Sequence, residues 1–476
     1  MALICGAGPS GLAAAIMLHQ QGWRDIVLVE RRSSYDAFER GKAFNYQLDG
    51  RGQNMLEFIG LDEQTFQSHG VENKQFVLNS FGPDGVEKSF KVPFVLEDKR
   101  TAYWMTRSAL IAMLHIHLEA TNKDGRIREL YGHRFDGITI DDLGVVAITS
   151  DVISGKKHVF YPQLILGCDG VNSNLRKSLM SLEGLSERKF EMVVAPSPSS
   201  SLLYKVIRLP KTFRIGGQEN SLTDHKKSYV FTSTYKDIRE RLSLFSLPVA
   251  REEDPRSANI ILPHDHKFWE IDNANDLKAY LIGAFPQLDI NEIFPAEEID
   301  DFLQLKTGKF PDPQYSPNIH ADIEAGSKRA TCVLLGDAAH AFPPDLGLGV
   351  NSALEDVYLL GQELVKGNEV GAAAASFESA RLPESRALIR LVRKVFPYQY
   401  NHVPWRFKIS MAKFFAQLAL TKISGGLIGQ PGFKIIQNEK LGYRELERRI
   451  FTTDLTLYVI MAMIIGGIFY IALRLM

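Results

Sequence analysis

The stretch ALICGAGPSGLAAAIMLHQQGWRDIVLVE, residues 2–30, leaves few ways to fold. Two short apolar runs flank a glycine loop and a longer run of helical spacing that Gly22 closes. This is the pattern of a strand, a crossover helix and a second, parallel strand. Within the loop, Gly6, Gly8 and Gly11 each answer a different steric demand. The first allows the tight turn, the second lets a pyrophosphate approach the backbone, and the third lets helix and strand pack closely. Amide groups at the positive end of the helix then face the phosphates. Glu30, at the end of the second strand, is placed to accept hydrogen bonds from a ribose hydroxyl pair, and its charge disfavours a 2′-phosphate. A bound dinucleotide follows, with FAD and NAD both open. Only Met1 to Cys5 precede the loop, which is short for a central strand, so the gene's natural start is expected upstream. The opening has neither the basic region nor the cleavage site of a signal peptide.

The other end of the chain constrains it differently. Residues 455–473, LTLYVIMAMIIGGIFYIAL, carry no charge and as a helix span about 28 Å, close to the ~30 Å hydrocarbon core of a bilayer. A terminal helix apolar on every face predicts a transmembrane anchor, with the lipid bilayer as its partner. Arg444, Arg448 and Arg449 precede it and Arg474 follows, which places the bulk of the chain on the cytosolic side. Lysine plus arginine (55) balance aspartate plus glutamate (56), so no basic surplus serves nucleic acid. Cys5, Cys168 and Cys332 lie in or at the end of apolar runs, with no CxxC or Cys/His cluster, and read as reduced core residues. No metal site is predicted.

A chain of 476 residues, 45% hydrophobic, exceeds the usual size of one domain. Two later stretches repeat the passage from buried strand to glycine turn: YPQLILGCDGVNSNLR, with Asp169 and Gly170, and ATCVLLGDAAHAFPPDLGLGVNSALED, with Asp337 and a helix starting near Gly349, Val350 and Asn351. His340 in the latter has no second ligand at helical spacing and reads as a buried hydrogen-bonding residue. The expected fold is α/β. A Rossmann-like dinucleotide domain comes from residues 1–74, 99–189 and 321–365, interleaved with a mainly antiparallel β substrate domain from 75–98 and 190–320. A helical region, 366–452, leads to the anchor at 455–473. The aromatic and basic mixture in VPWRFKISMAKFF suits either packing over a substrate pocket or lying on headgroups.

The order GxGxxG, then a D-G loop, then a G-D loop resembles the group A flavoprotein monooxygenases, the para-hydroxybenzoate hydroxylase-like family, over roughly residues 1–365. The resemblance implies FAD as cofactor, NADPH and O2 as co-substrates, and hydroxylation of an aromatic small molecule. It puts Asp337 on the flavin's ribityl chain and the helix N-terminus at Gly349, Val350 and Asn351 against the N1–C2 edge of the isoalloxazine. It puts Asp169 and Gly170 beside both FAD and NADPH, Arg107 at the FAD phosphates or ribityl chain, and Lys42 as a basic residue after the second strand. Within the family the chain is most similar to the kynurenine-hydroxylating branch, through the terminal anchor, KLGYRELERRIF before it, and LDGRGQNMLEFIGLDE. That branch implies Tyr103, Asn351, Phe396 and Tyr398 as pocket residues, and the mitochondrial outer membrane ahead of the endoplasmic reticulum. Where it carries an arginine for the substrate carboxylate, this chain has Lys74-Gln75. No residue stands out as a catalytic acid or base, and the oligomeric state is not readable. The same loops also serve a membrane-anchored flavin reductase or epoxidase of a lipophilic isoprenoid, or a tail-anchored flavin-binding scaffold without turnover.

Overall fold

The computed structural model describes residues 1–475 apart from 38, 40, 42–44, 75, 76, 92–99, 183–186, 217–221, 252, 253 and 255. Its central strand is the first apolar run, β1 (Ala2–Cys5), all four residues buried. On one side β1 pairs in parallel with β2 (Ile26–Glu30), which pairs in parallel with β3 (Ile127–Tyr131). On the other it pairs in parallel with β4 (Leu164–Gly167), and β4 with β6 (Lys328–Leu334); β5 (His320–Ala325) closes that edge antiparallel to β6. The order is β5-β6-β4-β1-β2-β3. β1, β2 and β4 are buried throughout because helices and a separate antiparallel sheet of His133–Asp141, Gly144–Asp151 and Lys157–Phe160, which adds Phe135, Val145 and Ala147 to the same core, cover the parallel strands. The crossover helix α1 (Pro9–Gln20) packs against α3 (Arg107–Thr121) and α5 (Gly349–Val365), so it is buried from Ser10 to Leu18 rather than along one stripe. Gly22, at φ +87°, closes it as expected.

A second sheet of seven strands has the order Gly308–Lys309, Leu202–Leu209, Arg256–Pro263, Ser243–Ser246, Ser228–Thr232, Val77–Phe81, Glu87–Lys91. It carries its own core, including Phe81, Phe213, Phe231, Ile260 and Phe285. Where the sequence suggested mainly β structure, three helices cover this core, at Ala274–Ala284, Ile290–Ile293 and Ala296–Gln304. Leu277, Leu281 and Ala284 recur at helical spacing, and burying them against the sheet decides the conformation. The two sheets meet across a small antiparallel sheet of Asn45–Leu48, Ala102–Thr106 and Val71–Asn73, with Asn45 donating to the carbonyl of Pro248 at 2.9 Å.

The C-terminal layer consists of α6 (Val370–Lys394), α7 (Pro404–Ile423) and α8 (Tyr443–Leu475). α8 starts well before the apolar run. Tyr443, Leu446, Ile450, Thr453 and Leu457 are buried at alternating spacings of three and four, so the first part of this helix belongs to the protein's own core with Leu388, Leu391 and Val392 of α6. From Met461 to Leu473 the large apolar side chains are 47–65% exposed. α8 is long and apolar enough to cross a membrane, with a mean hydropathy of 2.2 over its most apolar stretch.

A buried ionic network ties these parts together. Arg381 of α6, 1% exposed, donates to Asp356 at 2.6 Å, to Glu355 at 2.7 Å and to the carbonyl of Ser352 at 3.0 Å, all on α5. Arg51, in the helix α2 (Gly50–Phe58), donates to the other oxygen of Glu355 at 2.7 Å and to the carbonyls of Asn438 and Leu441 ahead of α8. Its guanidinium lies 4.3 Å from the centre of the Tyr443 ring, and that of Arg381 lies 5.7 Å away. Burial alone would raise the Asp356 carboxyl, but His340 and Arg381 outweigh it and hold it below the usual carboxylate range. Removing Arg381 leaves two buried carboxylates with only Arg51 and His340 beside them, so Arg381→Leu should cost about 3–5 kcal/mol. Urea unfolding measures this, and a loss below about 1 kcal/mol would show that the network does not hold the helices.

Candidate cofactor and substrate site

Because β1, β4 and β6 are adjacent and parallel, the loops at their C-terminal ends lie side by side, where an open α/β sheet builds its binding crevice. Cys168 donates to the carbonyl of Cys5 at 2.9 Å, and Leu335 to that of Gly167 at 3.0 Å. Gly6 sits at φ +97°, and a Cβ there would come within 2.5 Å of the Cys168 carbonyl oxygen. A Cβ on Gly11 would run into the carbonyl of Gly6, whereas one on Gly8 would meet nothing within 4 Å. The outer glycines hold the loop against its neighbours, and the middle one faces open space. Gly8 is the N-cap of α1, and no acidic residue in the first turn offsets the positive helix end. Glu30 is buried, with one oxygen accepting from the Ala7 amide at 2.8 Å and the other from the Arg32 amide at 2.9 Å. The Arg32 side chain also lies 3.2 Å from the second oxygen, so the oxygen bonded to Ala7 is the one with a further lone pair for a ligand hydroxyl.

In the second loop, Asp169 accepts from the amides of Asn174 and Leu175 at 2.6 and 3.2 Å, capping α4 (Asn174–Ser181). Its other oxygen is buried with no hydrogen-bond partner, and burial raises its carboxyl. Gly170 takes φ +80° with open space on its Cβ side. Arg176 of α4 donates to the carbonyl of Ala338 at 2.6 Å and so fixes the second loop to the third.

The third loop answers the question its histidine raises. His340 is 1% exposed and bonds to Asp356 at 2.8 Å, the buried hydrogen-bonding role expected of it. Asp356 also accepts from the Gly336 amide at 2.7 Å, so the network sets the loop's path. Asp337 is the one exposed residue between Ala330 and Ala341. A carboxylate enclosed by protein and yet open to solvent marks the floor of a crevice, and its surroundings raise its pKa by desolvation. Gly336, at φ +60°, brings together this loop, Ser10 of α1 and Ala353 of α5. α5 begins at Gly349, where a Cβ would meet nothing, and its first turn has no acid.

The structure therefore gathers Gly6, Gly8, Gly11, Glu30, Asp169, Gly170, Asp337, Gly349 and Val350 at one crevice. Arg107 joins from the start of α3, 3.3 Å from Glu39. Sequence reasoning missed Tyr46, which is hydrogen-bonded to Arg107 and influenced by Asp337, and whose pKa burial raises. Its period-two position in NYQL was the available signal. Lys42 lies outside the described residues. Among the described residues, no group of three or more His, Cys, Asp or Glu is arranged to hold a metal.

The expected pocket residues are placed differently. Asn351 is fully buried, with its amide donating to the carbonyls of Gln47 and Gly347 at 2.7 and 3.0 Å and accepting from the Asp49 amide at 3.0 Å. Its side chain fastens loops. Tyr103 is fully buried beside Phe66 and donates to Glu63 at 3.0 Å. Phe396 packs on Phe433 and Phe407, and the Tyr398 hydroxyl accepts from Arg406 at 2.5 Å. Lys74 is 70% exposed and pairs with Glu72 at 2.7 Å; Gln75 lies outside the described residues. An unforeseen cluster joins the third loop to the second sheet: Asp345, 6% exposed, accepts from Ser199 at 2.5 Å and is hydrogen-bonded to Tyr400 and Gln399. Tyr400 packs near Phe310, which stacks on Tyr204 at 5.0 Å. Burial pushes the Asp345 carboxyl up to about 6 against these bonds.

Known proteins resemble this chain in sequence and in fold. A sequence family described as "FAD binding domain" matches residues 1–256 and 324–391. Kynurenine 3-monooxygenase of Stenotrophomonas maltophilia is 25% identical over 428 residues, 88% of this chain and 82% of that protein. The enzyme of the same name from Drosophila willistoni is 25% identical over 410 residues, 85% and 79% of the two chains. Tetrameric 2-methyl-3-hydroxypyridine-5-carboxylic acid oxygenase has a similar fold, with a TM-score of 0.58, 20% identity, and coverage of 87% of this chain and 93% of that one. PqsL of Pseudomonas aeruginosa in complex with 2-aminobenzoylacetate gives 0.54, 18%, 86% and 99%.

The Asp345 cluster yields a signed pH dependence. Its folded pKa of about 6 lies above the unfolded carboxyl value, so the folded state favours the protonated form and stability falls as pH rises from about 4 to about 6. Asp345→Asn removes this ionisation. The variant's stability relative to the parent should improve by up to about 3 kcal/mol across that window and level off above it. Thermal unfolding at several pH values measures the difference, and a pH-independent difference would rule the buried ionisation out.

Proposed function

The chain belongs to the FAD-binding-domain family of FAD-dependent monooxygenases, and from that premise we propose that it hydroxylates an aromatic small molecule with NADPH and O2 while tethered to a membrane. The reaction balances as substrate C–H, O2, NADPH and a proton giving C–OH, NADP+ and water. Bound FAD supplies the redox chemistry that passes electrons from the nicotinamide to oxygen.

The observation that carries this reading is the convergence of three loops on one crevice with an exposed carboxylate at its floor. The residues fit FAD: an open approach at Gly8, an acid-free helix end at α1, an orphaned buried oxygen on Asp169, and Asp337 enclosed yet open to solvent. In the proposed assignment the α1 end with the Gly8, Ser10 and Gly11 amides holds the pyrophosphate, Glu30 the ribose, and Arg107 and Asp337 the ribityl region. The N-terminus of α5 at Gly349 and Val350 stabilises negative charge on the flavin edge. Asn351 acts by fastening the loop that begins α5 rather than by touching substrate.

An aromatic substrate is supported by the names of the relatives and by the aminobenzoylacetate complex of PqsL. Lys74 at the surface supplies no buried counter-charge for a substrate carboxylate, so the substrate's polar end is proposed to differ from kynurenine's. The run from Leu455 to Leu473 is proposed as a tail anchor, with the arginines before it keeping the body cytosolic.

Purified protein is expected to be yellow, with Asp337→Ala lowering FAD content severalfold. NADPH oxidation stimulated by an aromatic substrate should consume O2 about one to one, with 18O from O2 entering the product. Equal turnover without oxygen would favour a reductase, and a wild-type protein that takes up no FAD would sink the whole proposal. Deletion of residues 455–476 should leave the protein extractable from membranes by a carbonate wash, with FAD still bound.

A further inference from the structure

α7 wears its hydrophobic side outward. Trp405, Ile409, Phe415 and Ile423 are 60, 59, 55 and 82% exposed, and Leu427, just past the helix, is 93% exposed. With Ala412 and Ala419, also exposed, these positions follow the helical repeat and form one stripe along the helix. α7 buries only Phe414 and Gln417, and a row of large apolar side chains facing away from the protein is unpartnered as it stands. Around the stripe stand Arg406, Lys408 and Lys422, all exposed, and residues 404–435 contain no aspartate or glutamate.

The position of α7 against α8 indicates what covers the stripe. Lys413 and Gln417 both donate to Asp454 at 2.6 Å, and the Lys413 ammonium lies 5.5 Å from the centre of the Tyr458 ring. α7 is thus pinned to α8 at the level where the apolar run begins, at Leu455. Just inside that level a groove of about 610 Å³ is lined by Leu427, Gln430, Arg448, Arg449 and Thr453. Its two arginines share the single carboxylate of Glu445, leaving one surplus positive charge. An apolar stripe with a tryptophan, flanked by cations and free of acids, at the foot of a bilayer-length helix, has the chemistry of an interfacial helix.

We propose that α7 and the turn at Leu427 lie in the plane of an anionic lipid surface, with Trp405, Ile409, Phe415, Ile423 and Leu427 buried at the boundary between headgroups and acyl chains. The proposal rests on the tail-anchor reading and adds a second contact, which fixes the height and tilt of the body. It also brings the C-terminal layer that carries Tyr400 and the Asp345 cluster to the membrane surface, where a lipid-soluble aromatic substrate would arrive.

The test uses the full chain with FAD bound, reconstituted into vesicles of phosphatidylcholine and phosphatidylglycerol carrying nitroxides either near the headgroups or at the chain ends. Trp405 fluorescence is isolated by subtracting the signal of Trp405→Phe, which leaves Trp23, Trp104 and Trp269. The shallow label is expected to quench Trp405 at least about twofold more than the deep one. Vesicles of phosphatidylcholine alone should weaken this quenching, since the flanking cations contribute. Co-flotation with vesicles but no quenching by either label would overturn the proposal while leaving the anchor standing. Stronger quenching by the deep label would make α7 a second membrane-crossing segment and also overturn it. A full chain that does not float with vesicles would remove both the anchor and the in-plane helix.

Discussion

Two buried guanidinium groups organise this protein. Arg381 and Arg51 neutralise Glu355 and Asp356 in surroundings where an unpaired charge would cost several kcal/mol. The third loop, α2, α5, α6 and the segment ahead of α8 all connect to this network. Asp356 sets the Gly336 amide and the His340 ring, Glu355 holds α2 and α6 to α5, and the carbonyls of Asn438 and Leu441 ahead of α8 accept from one amino group of Arg51. Tyr443 lies beside both cations, so the root of the apolar terminal helix is part of the same unit as the loop that floors the crevice.

From this follows a particular division of labour at the crevice. Its residues fall into those that fasten and those that face open space, and the two types alternate within short stretches. Gly6 and Gly11 fasten while Gly8 faces out. His340 and Gly336 fasten while Asp337 faces out. Asn351 fastens while Gly349, two residues earlier, faces out. A cofactor held this way meets loops whose geometry is already paid for by contacts among themselves, which lowers the ordering cost of binding.

The terminal helix shows the same economy at larger scale. Its first turns belong to the core and its last turns have no protein neighbours, so the change of environment falls within one continuous helix at about Leu457. A sequence window tuned to apolar runs finds the second part only. The buried part alternates charged and apolar residues, Tyr443, Leu446 and Ile450 among Arg444, Glu445, Glu447, Arg448 and Arg449, and its inward stripe becomes evident once α6 is beside it.

Local chemistry was enough for the strand, loop and helix at residues 2–30, the two later glycine-aspartate loops, the buried character of His340 and the apolar C-terminal run. Each depends on interactions within a few residues: glycine φ, helix-end amides, alternation or unbroken hydrophobicity. Tertiary structure decided the rest. The helices of residues 274–304 required a sheet to bury Leu277 and Leu281. The fastening role of Asn351, the burial of Tyr103 and the Asp345–Ser199–Tyr400 cluster each depend on partners 40 or more residues away, and for several of them more than 100. A side chain's type tells which bonds it is able to make. Which of those bonds is already made, and hence what is left for a ligand, is a property of residues brought together only by the fold.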